Sequence, residues 1–295
     1  MRAFHFLVNE RARSGGTVAQ LQRLLSAEPL CRVPTSIANF ADDDGIRRGL
    51  DALKDGAILV AVGGDGTLAS IVRLMREAAR ADQPLGLLPL GTGNGVAHSL
   101  GIGRLSQAIE ALLIGSGRDF DIMTTTHPGA PLSLLSISVG LESLAMRDFD
   151  RWRRTSRLVG ALAGGIRRSA GRVSGILIEG DGQRLVSPDE SICNAGLYNA
   201  PCYGFGVMPR PPADAADGLA DLRVHRGRVG YAAYLAAGVL RMANPFARDP
   251  HWPQIERATI CSPLPVQIDG ETLAAATFEV EVLPRALQIL APSLI

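Results

Sequence analysis

The chain is poor in cysteine, in lysine, in aromatic residues and in net charge, and each shortage rules something out. Four cysteines (Cys31, Cys193, Cys202 and Cys261) are scattered with no Cys-x-x-Cys pair and no histidine at ligand spacing. They make neither a disulfide framework nor a zinc site, and read as thiols of a reducing compartment. Lys54 is the only lysine, so no Gly-Lys-Ser/Thr phosphate loop exists. A formal charge of +1 over 295 residues argues against nucleic acid as a partner. No stretch reaches 18 consecutive apolar residues, so no segment reads as a membrane span. The first residues lack the long apolar core of a signal peptide. These absences describe a cytoplasmic chain, large enough at this length for two domains.

What is present centres on residues 57–67. Ala57 to Val62 is an unbroken apolar run, the mark of a parallel strand buried on both faces. Gly63-Gly64-Asp65-Gly66-Thr67 follows, letting the backbone turn and approach a ligand. Leu68, Ile71, Val72 and Met75 then recur at helical spacing, with Thr67 expected as the N-cap. Strand, glycine loop and helix start together make an anion cradle of backbone N–H groups. Asp65 is out of place beside a phosphate unless a divalent cation or a moving proton lies between them. A second such unit follows, with strand 84–90 running into Gly91-Thr92-Gly93-Asn94-Gly95.

Strands expected at 4–8, 31–35, 57–62 and 84–90 alternate with helical patterns, including one capped by Asp42-Asp43-Asp44. This is a three-layer, Rossmann-like α/β domain with a parallel sheet, spanning 1–125 and ending in a strand around Phe120–Met123 that carries Asp121. Both glycine loops fall at the carboxyl ends of strands, where such sheets bind ligands. From 126 to 295 the pattern becomes short strands: 132–139, 173–179, 183–186, 192–198, 219–224 and 258–261. Asp181-Gly182 is a hairpin signal. This half reads as a β-rich sandwich whose last strand can return to the first domain. One stretch breaks the pattern. Arg147 to Arg172 holds eight arginines (147, 151, 153, 154, 157, 167, 168 and 172) around Trp152. It is either an interfacial helix for anionic headgroups or a solvated arginine face.

Four motifs occur in order: Gly63-Gly64-Asp65-Gly66-Thr67, Leu88-Pro89-Leu90-Gly91-Thr92-Gly93-Asn94, Asp217-Gly218-Leu219 and Ile268-Asp269-Gly270-Glu271. Together they resemble the diacylglycerol kinase catalytic-domain superfamily, which includes bacterial soluble lipid kinases, sphingosine kinases and ceramide kinases. The resemblance covers essentially the whole chain. It implies ATP in a cleft, with lipid entering from the β domain, and an enzyme acting peripherally at the inner face of the membrane. By the same resemblance, Asn9, Thr35, Gly63, Gly64, Asp65, Gly66, Thr67, Gly91, Thr92 and Asn94 surround the nucleotide. Asp65, Asp121 and Asp269 organise the catalytic Mg2+ through water, and Glu271 is the general base. Asp214, Asp217 and Leu219 match a structural Mg2+ site. A homodimer stays open.

The chemistry suits these residue types. Phosphoryl transfer asks for charge neutralisation and an in-line acceptor rather than covalent work, and Mg2+ takes one or two carboxylates, phosphate oxygens and waters. Three departures from the family pattern stand out. Asn9-Glu10 replaces Asn-Pro, Ala69-Ser70 replaces Asn-Glu, and Asn94-Gly95 replaces Asn-Asp. The last resembles sphingosine kinases and tilts the substrate toward a sphingoid base or ceramide rather than diacylglycerol. Two other readings are carried. NAD kinase shares the first motif, but its Asn-Glu and Thr-Pro-Thr-Gly-Ser motifs are missing. A catalytically silent lipid- or nucleotide-binding regulator would account for the lost polar groups.

Overall fold

A computed structural model describes residues 2–12, 16–152, 171–202, 207–208, 213–240 and 252–292. Most of the arginine-rich stretch, including Arg153, Arg154, Arg157, Arg167 and Arg168, lies outside the described residues. The chain divides into two compact units. Residues 2–120 with 285–292 form one, and residues of 121–202 and 207–284 form the other.

The first unit is built from β1 (Ala3–Asn9), α1 (Gly16–Leu25), a 3-10 turn at Leu30–Arg32, β2 (Thr35–Phe40), α2 (Asp43–Asp51), β3 (Ala57–Gly63), α3 (Asp65–Glu77), β4 (Leu85–Pro89), α4 (Gly95–Ser99) and α5 (Leu105–Ile114). Strands run in the order β2-β1-β3-β4, all parallel. Leu59, Val60, Ala61 and Val62 are all buried. Consecutive residues of a strand face opposite ways, so β3 is covered on both sides. Asp42 caps α2 by accepting the Gly45 N–H at 3.0 Å, satisfying one of the orphan amides of the first turn.

Two local expectations are corrected here. The second strand is Thr35–Phe40, not 31–35: Leu30–Arg32 makes a 3-10 turn anchored by buried Leu30, and extended pairing begins only after Pro34. Helix α3 begins at Asp65, with extended Gly64 as its N-cap, so Thr67 belongs to the first turn. Its buried hydroxyl is occupied elsewhere, as described below.

The second unit is a β-sandwich. It contains the later part of β5 (Ser116–Thr125), β6 (Leu132–Ser133), β7 (Ser136–Gly140), α6 (Leu141–Trp152), β8 (Leu177–Gly180), β9 (Gln183–Val186), β10 (Asn194–Tyr198), β11 (Ala220–His225), α7 (Arg228–Leu240), β12 (Gln254–Ile255), β13 (Arg257–Ser262), β14 (Val266–Ile268), β15 (Glu271–Leu273) and the first part of β16 (Ala276–Ala291). One sheet has the order β12-β11-β10-β7-β14-β15. The other runs β16-β13-β8-β9, with β5 beside β16. Ile137, Val139, Leu197, Leu222 and Ile268 from the first sheet pack with Ile178, Ile260, Phe278 and Val280 from the second in one core. Alternate residues of each strand supply it, as a two-layer sandwich requires.

Residues 132–139 are not one strand. β6 and β7 are separated at Leu134-Leu135, whose amides leave the ladder for a carboxylate. Strand β8 starts at Leu177 rather than 173; Val173 makes only a bridge to Ile192. Helix α7 has no counterpart in the sequence reading, because its apolar residues occur all round and lack an amphipathic period. Asp181 and Gly182 both take positive φ (48° and 77°), the backbone of a type I′ hairpin turn. Within the first unit, Ile289 at the far end of β16 pairs parallel with Leu85.

Candidate active site

The two glycine loops of the first unit touch backbone to backbone. The Gly91 N–H donates to the Gly63 carbonyl at 3.1 Å. A β-carbon on Gly91 would lie 2.3 Å from Gly64 Cα, and one on Gly64 would lie 3.2 Å from Gly91 Cα. No side chain fits there. Asp65 joins the loops from below: its two carboxylate oxygens accept the N–H groups of Gly95 at 2.8 Å and Val96 at 3.0 Å. The aspartate at the start of α3 therefore caps α4. Burial pushes the Asp65 carboxyl above the usual range, and the Val96 and Gly95 amides pull it back. With its own backbone N–H bonded as well, the carboxylate keeps about one acceptor position for another partner.

Asn94, in the left-handed region at φ 52°, turns its amide Nδ2 inward to the carbonyls of Pro89 (3.2 Å) and Gly91 (3.1 Å). Its Oδ1 is buried against the two glycine loops without a hydrogen-bond partner. Asn9, at the carboxyl end of β1, donates to the Thr67 hydroxyl at 2.9 Å and accepts the Arg11 N–H. Asn9, Gly63 to Thr67, Gly91, Thr92 and Asn94 thus gather at the carboxyl edge of the sheet. Thr35 does not. It pairs with Phe4 at the amino end of β2, while Phe40 pairs with Asn9. Five residues at roughly 3.3 Å each separate Thr35 from that edge, and Thr35 is removed from the nucleotide set.

In the second unit, Asp121 is fully buried and accepts the Gly218 N–H at 2.6 Å. It stands with Asp214, Asp217 and Asp221: desolvation first, then the charges of these neighbours, push the Asp217 carboxyl up. Asp214 and Asp217 each accept the N–H two residues onward, at Ala216 and Leu219, and the second oxygen of Asp217 accepts from Gln254 Nε2 at 3.0 Å. Crowded like charges of this kind fit a divalent cation with two carboxylates, a carbonyl and waters. Among the described residues, no group of three histidine, cysteine or acidic side chains converges as a ready-made metal cage.

Asp269 and Glu271 flank the β14–β15 turn, and they differ sharply. Asp269 is half-buried and receives four hydrogen bonds: from the Ser133 hydroxyl (2.8 Å) and from the N–H groups of Leu134 (2.6 Å), Leu135 (2.9 Å) and Ser136 (3.0 Å). Oδ1 takes three of these bonds and Oδ2 only that from Leu134, which leaves one acceptor position on Oδ2. Asp269 is thus the clamp that breaks β6 from β7. Glu271 is exposed.

A buried polar network in the second unit has no counterpart among the sequence motifs. Glu142 at the start of α6 accepts from Asn194 Nδ2 (3.1 Å) and the Tyr198 hydroxyl (3.3 Å), and burial pushes its carboxyl up. Arg223, 1% exposed, donates to Asp221 and to the Tyr234 hydroxyl at 3.0 Å each. The signal was the alternation Ala220-Asp221-Leu222-Arg223-Val224-His225, which reads as a half-exposed strand until α7 covers it.

The comparisons with known proteins agree with this architecture. The family model described as diacylglycerol kinase catalytic domain matches residues 3–125. A protein named "Probable lipid kinase YegS-like" from Pseudomonas aeruginosa (strain UCBPP-PA14) is 30% identical over 265 residues, covering 86% of this chain and 83% of that protein. A second of the same name, from Enterobacter sp. (strain 638), is 26% identical over 252 residues, 79% of this chain and 78% of that one. A crystal structure of a diacylglycerol kinase from Bacillus anthracis str. Sterne superposes with a TM-score of 0.71, covering 98% of this chain and 97% of that one, at 16% identity. The last likeness is one of fold alone. The chain belongs to the diacylglycerol kinase catalytic-domain superfamily of lipid kinases.

Proposed function

We propose that the chain transfers the γ-phosphoryl group of ATP to the primary hydroxyl of a neutral membrane lipid. The observation that carries this reading is the pair of glycine loops in backbone contact, bridged by Asp65, at the carboxyl edge of a parallel sheet. Loop amides with no side chain in the way hold phosphate oxygens. Mg2+, when bound, supplies charge neutralisation on the phosphates. Asp65 suits it through water, and Asp214, Asp217 and the Leu219 carbonyl suit a second, structural ion. Glu271 takes the proton of the lipid hydroxyl as its oxygen bonds to phosphorus and the bond to the β-phosphate oxygen breaks, releasing ADP.

Gly95 is buried and its N–H is committed to Asp65, so the second loop carries no carboxylate of its own. This supports a ceramide or sphingoid base ahead of diacylglycerol. The arginines between 147 and 172 suit an anionic membrane surface, and among the described residues no helix is long and apolar enough to cross a membrane.

The test is transfer of radiolabelled phosphate from ATP to diacylglycerol, ceramide, sphingosine and monoacylglycerol, each in neutral and in anionic vesicles. Label is expected in a lipid, more in anionic vesicles. Glu271→Gln is expected to lower turnover by about 10²–10⁴-fold with ATP affinity unchanged. ATP binding with no label in any of the four lipids overturns the reading in favour of a silent regulator.

A further inference from the structure

Glu271 stands on a three-residue edge strand, β15, paired with β14 alone. So short a pairing is marginal by itself. A proton acceptor needs better, since a misplacement of about 1 Å can cost 10²-fold in rate. On the near side of Glu271, Asp269 anchors the hairpin to residues 133–136. On the far side, the chain passes Thr272 and Leu273 and reaches Ala274. There the Ala274 carbonyl meets Nε2 of His127 at 3.1 Å.

His127 is 3% exposed. Its Nδ1 accepts the Gly129 N–H at 3.0 Å. A backbone N–H meets only an unprotonated ring nitrogen, so the ring hydrogen is assigned to Nε2 and donated to Ala274. The ring stands edge-on to Phe278, 5.2 Å between centroids. The loop that carries it is held independently of Ala274. Thr125 Oγ1 accepts the His127 N–H and donates to the Ala130 carbonyl, while Thr126 exchanges hydrogen bonds with Glu279 on β16. A rigid loop thus reaches across to the end of the strand that bears Glu271.

We propose that His127 is a positioning residue for phosphoryl transfer: its bond to Ala274 fixes the far end of β15 and so the carboxylate of Glu271. This rests on Glu271 being the base. The competing possibility is that His127 merely shapes its own loop through Gly129 and packs on Phe278. Amide substitutions separate the two. Glutamine places its NH2 near the position of ring Nε2 and keeps the bond to Ala274. Asparagine places its oxygen near ring Nδ1 and keeps only the bond to Gly129.

The experiment uses the full chain with Mg-ATP and anionic vesicles carrying the four lipids above. His127→Ala is expected to lower kcat by about 10- to 100-fold with the KM for ATP unchanged. His127→Gln restores turnover to within about threefold and His127→Asn does not, by the geometry of the retained donor. In a Glu271→Gln background, His127→Ala adds little, as expected of two residues acting as one unit. Hydrogen exchange reads the tie without any lipid: amides 271–275 exchange faster in the Ala and Asn variants and normally in the Gln variant. Rescue by Asn equal to that by Gln, unchanged kcat in the Ala variant, unchanged exchange, or multiplicative losses would overturn the inference. Full turnover of Glu271→Gln by itself would instead remove Glu271 as the base, a separate and separately visible failure.

Discussion

The contact between the glycine loops makes a graded test. In Gly91→Ala the new β-carbon meets Gly64 Cα at 2.3 Å and the Gly64 nitrogen at 2.8 Å. Carbon atoms pack at about 3.5–4.0 Å, so the loops must part by roughly 1.2 Å. Asn94 Oδ1 also lies at 2.8 Å, but the two Gly64 atoms are backbone and cannot swing aside as a side chain would. Parting them breaks the Gly91 to Gly63 hydrogen bond, worth about 0.5–1.5 kcal/mol, on top of about 1–3 kcal/mol for overpacking. A total of about 1.5–4.5 kcal/mol lowers ATP affinity by about 10- to 2000-fold if it is expressed fully in binding. In Gly64→Ala the nearest atom lies at 3.2 Å, a misfit of a few tenths of an ångström. That variant should lose less than about tenfold, the low end of an overpacking cost. Gly103→Ala, whose nearest neighbours lie at 3.7 and 3.8 Å, is the neutral control. Calorimetric titration with Mg-ATP, alongside thermal unfolding of each variant, reads the series. Wild-type affinity in Gly91→Ala, or a larger loss in Gly64→Ala than in Gly91→Ala, would refute the reasoning.

Two further predictions concern the second unit. Asp269→Asn removes the charge and turns an NH2 toward donors at 133–136, which should cost about 3 kcal/mol or more of unfolding free energy in urea; a loss below about 1 kcal/mol would show that the clamp is unimportant. His225, buried among Tyr231, Tyr234 and Trp252, has its pKa lowered from 6.5 to about 4, first by desolvation and then by Arg223. The folded state resists the proton that the unfolded chain accepts, so stability falls as pH drops from about 6.5 to about 4 and loses nothing more from this group below that. The loss is about 3 kcal/mol. His225→Phe should flatten that part of the pH–stability curve, and an unchanged slope would place the acid sensitivity elsewhere.

What could be read in advance was local. The buried strand 57–62, the glycine turn after it, the cap at Asp42 and the I′ turn at Asp181-Gly182 each depend on residues within a few positions of one another. Dihedral preference and periodicity act over that range. The motif order carried the family likewise, because each motif is a contiguous piece of chain. Thr35 shows where this stops: which end of β2 it occupies depends on the pairing of Thr35 with Phe4 and of Phe40 with Asn9, a register that the half-polar edge strand does not announce.

Asp65 and Asp269 show the same division more sharply. Asp65 looked like a metal-side carboxylate from its glycine loop, and Asp269 from the family resemblance. Sequence alone determined that each sits in a tight turn beside a strand end. Only the tertiary structure decided what each carboxylate faces. Asp65 meets two amides about thirty positions onward, while Asp269 gathers four donors more than 130 positions away and is tied down as a clamp. Hydrogen-bond capacity is spent on whatever the fold brings within about 3 Å, and no pattern in the neighbouring residues records which distant amides will arrive.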